Sequence, residues 1–160
     1  MKTTSNKLNL KGSGSLGFTL IELLITITIT AILATASSIA YFVLLADTNT
    51  NNATQTISSI VKQSQDDAMN NTGGVSTYGV YFTQTTVTLF PGSLYSSSNP
   101  SNQVYYLPFS LNITNILPSN NNPIVFSAQN GMLQNSGISF TLGNSFSSKI
   151  ISINQNGAIY

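Results

Sequence analysis

Twenty-four consecutive residues near the start of the chain, Leu23 to Ala46, carry no charge and are mostly apolar. At about 1.5 Å per residue, a helix of this length exceeds the hydrocarbon core of a bilayer, which is roughly 30 Å thick. The run therefore predicts a membrane-spanning helix. The alternation of Ile and Thr from Ile25 to Thr30 is also typical of a strand, but an isolated strand in lipid would leave its backbone groups unpaired.

The charges on either side of this run predict its orientation. The preceding segment carries Lys2, Lys7 and Lys11 and no acid, whereas the first charges after the run are Asp47 and Lys62. Cytoplasmic flanks of membrane helices are enriched in Lys and Arg. We therefore expect a single pass, with the N-terminus in the cytoplasm and the residues after 46 outside.

Charge is scarce in the whole chain, and this disfavours several classes of function. Only 6% of the 160 residues are charged, and Arg, His and Cys are absent, whereas about 25% charged residues is usual. Metal-dependent hydrolysis, catalytic triads and general acid–base catalysis use His, Cys or clustered carboxylates. We therefore expect no enzyme, no catalytic residue, no metal site and no cofactor. Nucleic-acid binding is disfavoured because few phosphates would be neutralised.

A cleaved secretory signal is one interpretation of residues 1 to 40, because Ala36 to Ala40 offer small residues to a signal peptidase. It predicts a Sec-secreted or membrane-tethered β-domain that binds a ligand or a surface. Two features oppose it. The apolar run continues through Tyr41 to Leu45, and Glu22 stands within an apolar stretch, where an acid costs roughly 2.5 to 3.5 kcal/mol at mid-membrane. Such a carboxylate needs a partner.

Residues 17 to 22, Gly-Phe-Thr-Leu-Ile-Glu, resemble the processing motif of type IV prepilins and of the pseudopilins of type II secretion. As in that family, a short basic leader precedes the motif and a long apolar run follows it. The resemblance implies that a prepilin peptidase cuts after Gly17 and methylates the new amine of Phe18. It also implies that Glu22 engages the N-terminal amine of Phe18 of a neighbouring subunit during assembly. That pairing would compensate a carboxylate stranded in lipid.

The same resemblance implies a structural filament subunit rather than an enzyme. We expect a minor, tip-proximal subunit of a type IV pilus or of a type II secretion pseudopilus, with a major pilin as the nearest competitor. The implied partners are other pilin or pseudopilin subunits, the prepilin peptidase, an assembly ATPase and a membrane platform protein. The implied location is the inner membrane, followed by a periplasmic pseudopilus or a cell-surface pilus.

A polar stripe runs along the predicted span. At about 100° per residue, Thr19, Glu22, Thr26, Thr30 and Ser37 fall within an arc of about 80°. Small and hydroxyl-bearing residues allow membrane helices to approach closely, which predicts a helix-packing role for the four hydroxyl residues. The alternative is that these hydroxyls bond the backbone of their own helix.

The helix is predicted to continue beyond residue 46, because neither Pro nor Gly occurs between Gly17 and Gly73. The polar run 47 to 56 is a poor helix former, and we expect it to fray. Apolar positions then return with helical spacing and predict a face that lies on a sheet: Ala53, Ile57, Ile60, Val61, Ser64 and Ala68. The side chains expected to point outward are Lys62, Gln63, Gln65 and Asp66. We interpret the pair Asp66-Asp67 as solvated surface, since neighbours on a helix point about 100° apart.

After residue 72 the pattern becomes typical of strands. Eight short β-rich runs are separated by Pro, Gly, Asn and Ser clusters, and hairpins are expected across Gln84-Thr85 and across residues 154 to 157. The last of these runs is Ala158 to Tyr160. The residues expected in the core, against the helix, are Tyr81, Phe82, Phe90, Phe126 and Phe140. The loops from Ser93 to Pro123 fit either partner contact or solvated linker.

Three stretches of this second part, YGVYF, the strand ending in Leu89-Phe90, and IISINQNGAIY, are similar to the heads of H-type minor pseudopilins and FimT-like minor pilins. The expected fold class is α+β, with a long N-terminal helix on an antiparallel sheet or small β-sandwich. The expected segments are a cleaved leader (1–17), a transmembrane and assembly helix (18–46), an amphipathic helix (47–72) and a β-rich head (73–160).

Overall fold

The computed structural model describes residues 17–160. The expected leader, with Lys2, Lys7 and Lys11, therefore lies outside the described residues except for Gly17. In this part of the chain one long helix, α1 (Leu20–Met69), precedes seven strands. The chain divides into two compact units, Met1–Ser38 and Ile39–Tyr160, and the helix contributes residues to both.

In the first unit, the described residues form the apolar start of α1. The helix is long and apolar enough to cross a membrane, and none of its most apolar window is buried in the structure. No Pro or Gly interrupts it, and α1 runs unbroken to Met69. This agrees with the expectation that the helix continues beyond the apolar run, although it ends at Met69 and not at the expected boundary at residue 72.

The polar run from 47 to 56 is helical in the structure, so the expectation that it frays is wrong. Thr50 and Ala53 in this run are buried. The hydroxyls of Thr48, Thr50 and Thr54 each donate to the carbonyl four residues earlier, at 2.8 Å. Packing of one face, rather than intrinsic propensity, supplies most of the stability of a helix in a folded protein. The buried face at 50 and 53 therefore holds this segment.

In residues 17–160, seven strands form two antiparallel sheets. The strands are β1 (Thr77–Phe82), β2 (Thr86–Pro91), β3 (Gln103–Tyr106), β4 (Asn112–Leu117), β5 (Ile124–Ser127), β6 (Ile138–Gly143) and β7 (Ser148–Ile153). One sheet has the order β3-β2-β1-β5 and the other the order β4-β6-β7. Short 3-10 turns occupy Thr72–Gly74 and Ser119–Asn121. This architecture confirms the predicted α+β class.

Both predicted hairpins are present. β1 and β2 pair directly across the first turn. At the second, the Gly157 N–H donates to the carbonyl of Asn154 at 2.9 Å, and Gly157 has a φ of +77°, which favours glycine. The predicted eighth strand at Ala158 to Tyr160 is reduced to an isolated bridge between Ile159 and Ile153.

The main core lies between α1 and the two sheets. The helix contributes Ala53, Ile57, Val61 and Ala68, which are buried together with the inward side chains of the strands. Three expected core aromatics, Phe82, Phe126 and Phe140, belong to this cluster. The Phe82 and Phe140 rings join the two sheets, with centroids 4.9 Å apart.

The other two expected core aromatics lie on the opposite face of the four-stranded sheet. Val80 and Phe82 point to the main core, so Tyr81 between them points away, because side chains alternate along a strand. Tyr81 is only half-buried and stacks on Tyr95 of the loop after β2, with centroids 4.1 Å apart. Phe90 is buried on the same face, edge-on to Tyr95. The expectation that Tyr81 and Phe90 pack against the helix is therefore wrong.

Among the helix residues expected to point outward, Lys62, Gln63 and Asp66 are exposed, but Gln65 is not. The Gln65 Nε2 donates to the carbonyl of Gly131 at 2.6 Å and to that of Asn156 at 3.1 Å. An amide side chain offers two N–H donors, and here they join α1 to two loops.

Candidate functional site

The segment expected to be processed lies just before α1. Gly17, Phe18 and Thr19 are exposed and outside regular secondary structure, and Phe18 is 80% exposed. Apart from Gly17 and its two neighbours in sequence, no atom of the described residues lies within 4 Å of the position that a Cβ at Gly17 would occupy. Among residues 17–160, nothing covers the bond between Gly17 and Phe18.

Thr19 caps the start of α1. Its Oγ1 accepts a hydrogen bond from the backbone N–H of Glu22 at 3.3 Å, and its carbonyl accepts one from Leu23 at 3.1 Å. A Thr followed three residues later by Glu is a sequence signature of a helix start, because the Thr hydroxyl satisfies one of the unpaired N–H groups there. This capping role was missed in the sequence, although its signal was present.

Glu22 lies in the first turn of α1 and is exposed. Its N–H donates to Thr19 and its carbonyl accepts from Thr26, whereas within residues 17–160 its carboxylate makes no hydrogen bond or ion pair. A negative group near a helix N-terminus gains about 0.3 to 1 kcal/mol from the helix dipole. The carboxylate is therefore placed favourably for its own helix and is open to a partner from outside the described residues.

The hydroxyls of the polar stripe bond the backbone of α1. Thr26 donates to the carbonyl of Glu22 at 2.7 Å, Thr30 to that of Thr26 at 2.7 Å, and Ser37 to that of Leu33 at 2.8 Å. All three residues are exposed. These three hydroxyls therefore bond the backbone of their own helix, which is the alternative that the sequence left open. A packing role of Thr19, Thr26, Thr30 and Ser37 against another helix stays a prediction.

The few acids do not form a centre for chemistry in the part of the chain that the structure describes. Residues 17–160 contain no group of three or more His, Cys, Asp or Glu that could hold a metal ion. Asp66 is exposed, and Asp67 Oδ1 accepts a hydrogen bond from the Thr72 hydroxyl at 3.2 Å. That bond ties the end of α1 to the turn that follows.

Sequence reasoning did not foresee the convergence of the two lysines of residues 17–160. Lys62 and Lys149 line one surface cavity of about 350 Å³, together with Ser58, Ser59 and Tyr160. They are 87 positions apart in sequence, and no local pattern brings them together.

Residues 13–38 match a family model described as the prokaryotic N-terminal methylation motif. No curated protein matches the chain. Among solved structures, the type IV minor pilin FimU of Pseudomonas aeruginosa PAO1 has a similar fold, with a TM-score of 0.53 and 14% sequence identity. The alignment covers 71% of this chain and 88% of the FimU chain. At this identity the similarity establishes the fold.

The matched motif contains Gly17, Phe18 and Glu22, the residues on which the sequence resemblance rests. The chain thus combines a prokaryotic N-terminal methylation motif at the start of a long apolar helix with a fold similar to that of a type IV minor pilin.

Proposed function

We propose that the chain is a minor structural subunit of a type IV pilus or of a type II secretion pseudopilus. The observation that carries this proposal is the methylation motif at the start of an exposed apolar helix. The minor role is supported by the similarity of fold to a protein described as a type IV minor pilin. In this function the chain is the substrate of a processing enzyme and catalyses no reaction.

The first step of the proposed function is processing at the inner membrane. The helix spans the bilayer with its N-terminus in the cytoplasm and the β-rich head outside. A prepilin peptidase cuts the exposed bond after Gly17 and methylates the amine of Phe18. The openness of this segment in the structure supports such access.

Assembly follows through the start of α1. The Glu22 carboxylate has no counter-charge within the described residues, and in a bilayer it would also be poorly solvated. The terminal ammonium of Phe18 from a neighbouring subunit supplies both a positive charge and N–H donors, which makes a charge-assisted hydrogen bond. Thr26, Thr30 and Ser37 lie on the same side of the helix and are small enough to let the neighbouring helix approach.

Export of the subunit into a filament needs further partners. In the proposed function an assembly ATPase supplies energy and a membrane platform protein guides the subunit out of the bilayer. The end state is a periplasmic pseudopilus or a cell-surface pilus in which helices of the α1 type pack side by side. These partners follow from the family resemblance.

Mass spectrometry of the mature chain tests the processing step. We expect an N-terminus at Phe18 that carries one methyl group. A chain that begins at Tyr41 would contradict the proposal and support the Sec-secreted β-domain instead.

Replacing Glu22 by Gln tests the assembly step. The substitution keeps the shape of the side chain and removes its charge, so we expect normal membrane insertion and reduced incorporation into sheared filaments. Asp47→Asn is the matched control, because it removes the same charge at the other end of the apolar run, where Asp47 is exposed and bonds Asn51 and Ser147. Equal incorporation of the two variants would count against the pairing of Glu22 with Phe18.

A further inference from the structure

Two loops lie at the same end of the three-stranded sheet. In this sheet Asn112, at the start of β4, pairs with Gly143, at the end of β6, and Gly143 also pairs with Ser148, at the start of β7. Two segments therefore extend from the same end of the sheet: residues 108–111, which precede β4, and residues 144–147, which connect β6 to β7. We refer to these two segments as the interface loops.

The interface loops lie beside α1 at the point where its apolar run ends. Ser147 Oγ donates to Asp47 Oδ1 at 3.4 Å, and the next contact toward the C-terminus of the helix joins Lys149 Nζ to Asn51 Oδ1, also at 3.4 Å. A surface cavity of about 300 Å³ lies among these elements. Phe42, Leu45 and Asn49 of the helix and Ser110, Asn144 and Phe146 of the loops line it.

This contact sets the level of the loops relative to a bilayer. The uncharged run ends at Ala46, and Asp47 follows directly. A helix that spans a membrane with this run leaves the hydrocarbon near Ala46, so elements that touch Phe42 to Asn49 lie at the height of the headgroups. The interface loops are held at that height by the fold of the second unit.

The interface loops expose aromatic side chains and carry no charge. Phe109 is fully exposed and Phe146 is 61% exposed, and neither 108–111 nor 144–147 contains an acid or a lysine. At the same level of the helix, the exposed rings of Tyr41 and Phe42 form an edge-on pair with centroids 6.1 Å apart. Exposed apolar rings are unfavourable in water, whereas apolar aromatic side chains bind favourably at the headgroup and acyl boundary of a bilayer.

We propose that the interface loops form a membrane-resting surface, in which Phe109 and Phe146 insert into the outer-leaflet interface of the bilayer that α1 spans. This inference rests on the membrane-anchored state of the proposed function and does not depend on filament assembly. The continuity of the loops with the end of the apolar run favours lipid over a second copy of the chain as the occupant. The surface holds the head against the membrane while the subunit awaits extraction.

The chain contains no Trp, so a single introduced Trp reports on one position. The full chain is reconstituted, at a high lipid-to-protein ratio, in phosphatidylcholine and phosphatidylglycerol vesicles with acyl chains brominated close to the headgroup. For Phe109→Trp and Phe146→Trp we expect blue-shifted emission and quenching several-fold stronger than for a solvent-exposed control. Both positions are exposed in the structure, so the larger ring fits without disturbing the core.

Two control variants complete the experiment. Leu94→Trp is the exposed control, because Leu94 is 84% exposed. It follows β2, whose last residue pairs with Tyr78 at the start of β1. Tyr78 in turn bonds the carbonyl of Thr72, in the turn after α1. That end of β2 is the one next to the C-terminal end of α1, away from the apolar run. Leu33→Trp, in the middle of the run, should be quenched by lipids brominated deep in the acyl chain and reports that the helix is inserted.

The outcomes separate the inference from the function on which it rests. Quenching at 33 together with solvent-like emission at 109 and 146 overturns the membrane-resting surface and leaves the anchored subunit intact. Absence of quenching at 33 overturns the anchored state, and the inference with it. A blue shift at 109 and 146 that lacks quenching and grows with the protein-to-lipid ratio shows that a second copy covers the loops, which also overturns the inference.

Discussion

Gly79 lies directly opposite Phe90 in the β1–β2 pair, and the Phe90 ring occupies the space that a side chain at position 79 would need. A Cβ built on Gly79 would overlap Phe90 Cζ and would lie 2.8 Å from the carbonyl oxygen of Ile124. The Phe90 ring is in turn edge-on to Tyr95. This Gly–Phe pair closes the face of the four-stranded sheet opposite to α1.

Gly79→Ala should lower the free energy of unfolding by about 1 to 3 kcal/mol, because the added methyl group overpacks this face. Phe90→Ala alone should cost about 3 to 5 kcal/mol through the cavity that it leaves. In the double variant the methyl group enters that cavity, so we expect a cost smaller than the sum of the two. Chemical denaturation of the full chain in detergent, followed by near-ultraviolet circular dichroism, measures all three. Additive costs would show that the ring and the methyl group do not compete for the same space.

Ser64→Ala should raise the free energy of unfolding by about 1 kcal/mol, since it removes a buried hydroxyl that has no partner. Ser64 is fully buried, and its Oγ makes no hydrogen bond within the described residues. Thr50→Val is the matched control, because Thr50 is equally buried but its hydroxyl donates to the carbonyl of Ala46 at 2.8 Å. We expect no gain in stability from the control. Thermal unfolding in detergent compares the two variants, and a lower melting temperature for Ser64→Ala would contradict the prediction.

Gln65→Ala should destabilise the fold by about 1 to 3 kcal/mol, because two loop carbonyls lose their donor. The loss falls on Gly131 and Asn156, so hydrogen exchange of the loops around them should accelerate. Gln63→Ala, two residues earlier on the exposed side of the helix, should change the free energy of unfolding by no more than about 0.5 kcal/mol. Equal effects of the two variants would show that the Gln65 bonds contribute no stability.

Thr19→Ala should weaken the first turn of α1 by about 0.5 to 2 kcal/mol, since the cap on the Glu22 N–H is lost. Thr19→Ser keeps a hydroxyl in the same place and should behave like the original chain. Amide exchange of Glu22, measured by nuclear magnetic resonance in detergent micelles, reports on this turn directly. Unchanged protection in the Ala variant would show that the cap does not hold the turn.

Much of the fold follows from local pattern. The absence of Pro and Gly before Gly73 predicted the unbroken helix, and turn residues between apolar runs predicted the strands. The methylation motif was recognisable because its residues are contiguous, and the family model matches the same segment.

The remaining features depend on contacts between distant residues. β1 and β2 have apolar or aromatic side chains on both faces, so alternation could not tell which of Val80 and Tyr81 points to the helix. Tyr95, which covers the second face, comes from a loop. The Gln65 amide finds its acceptors 66 and 91 residues further along the chain.

The interface loops show the same dependence on distant contacts. Phe109 and Phe146 are 37 positions apart in sequence, and no local pattern relates them. The pairing of β4 with β6 and of β6 with β7 brings their loops to the same end of the sheet, where both rings are exposed.

Every hydroxyl between Thr26 and Ser38 already donates to a carbonyl of α1. When such a helix moves from one apolar environment to another, the hydrogen bonds between its hydroxyls and its own carbonyls stay formed. The energy barrier to leaving a lipid layer is then set by how well the bare side chains fit their new neighbours and by the single acid near the start of the helix. The hydroxyl groups of this segment therefore need no partner outside the helix, and a move between the two environments requires no change in the hydrogen bonds that they make.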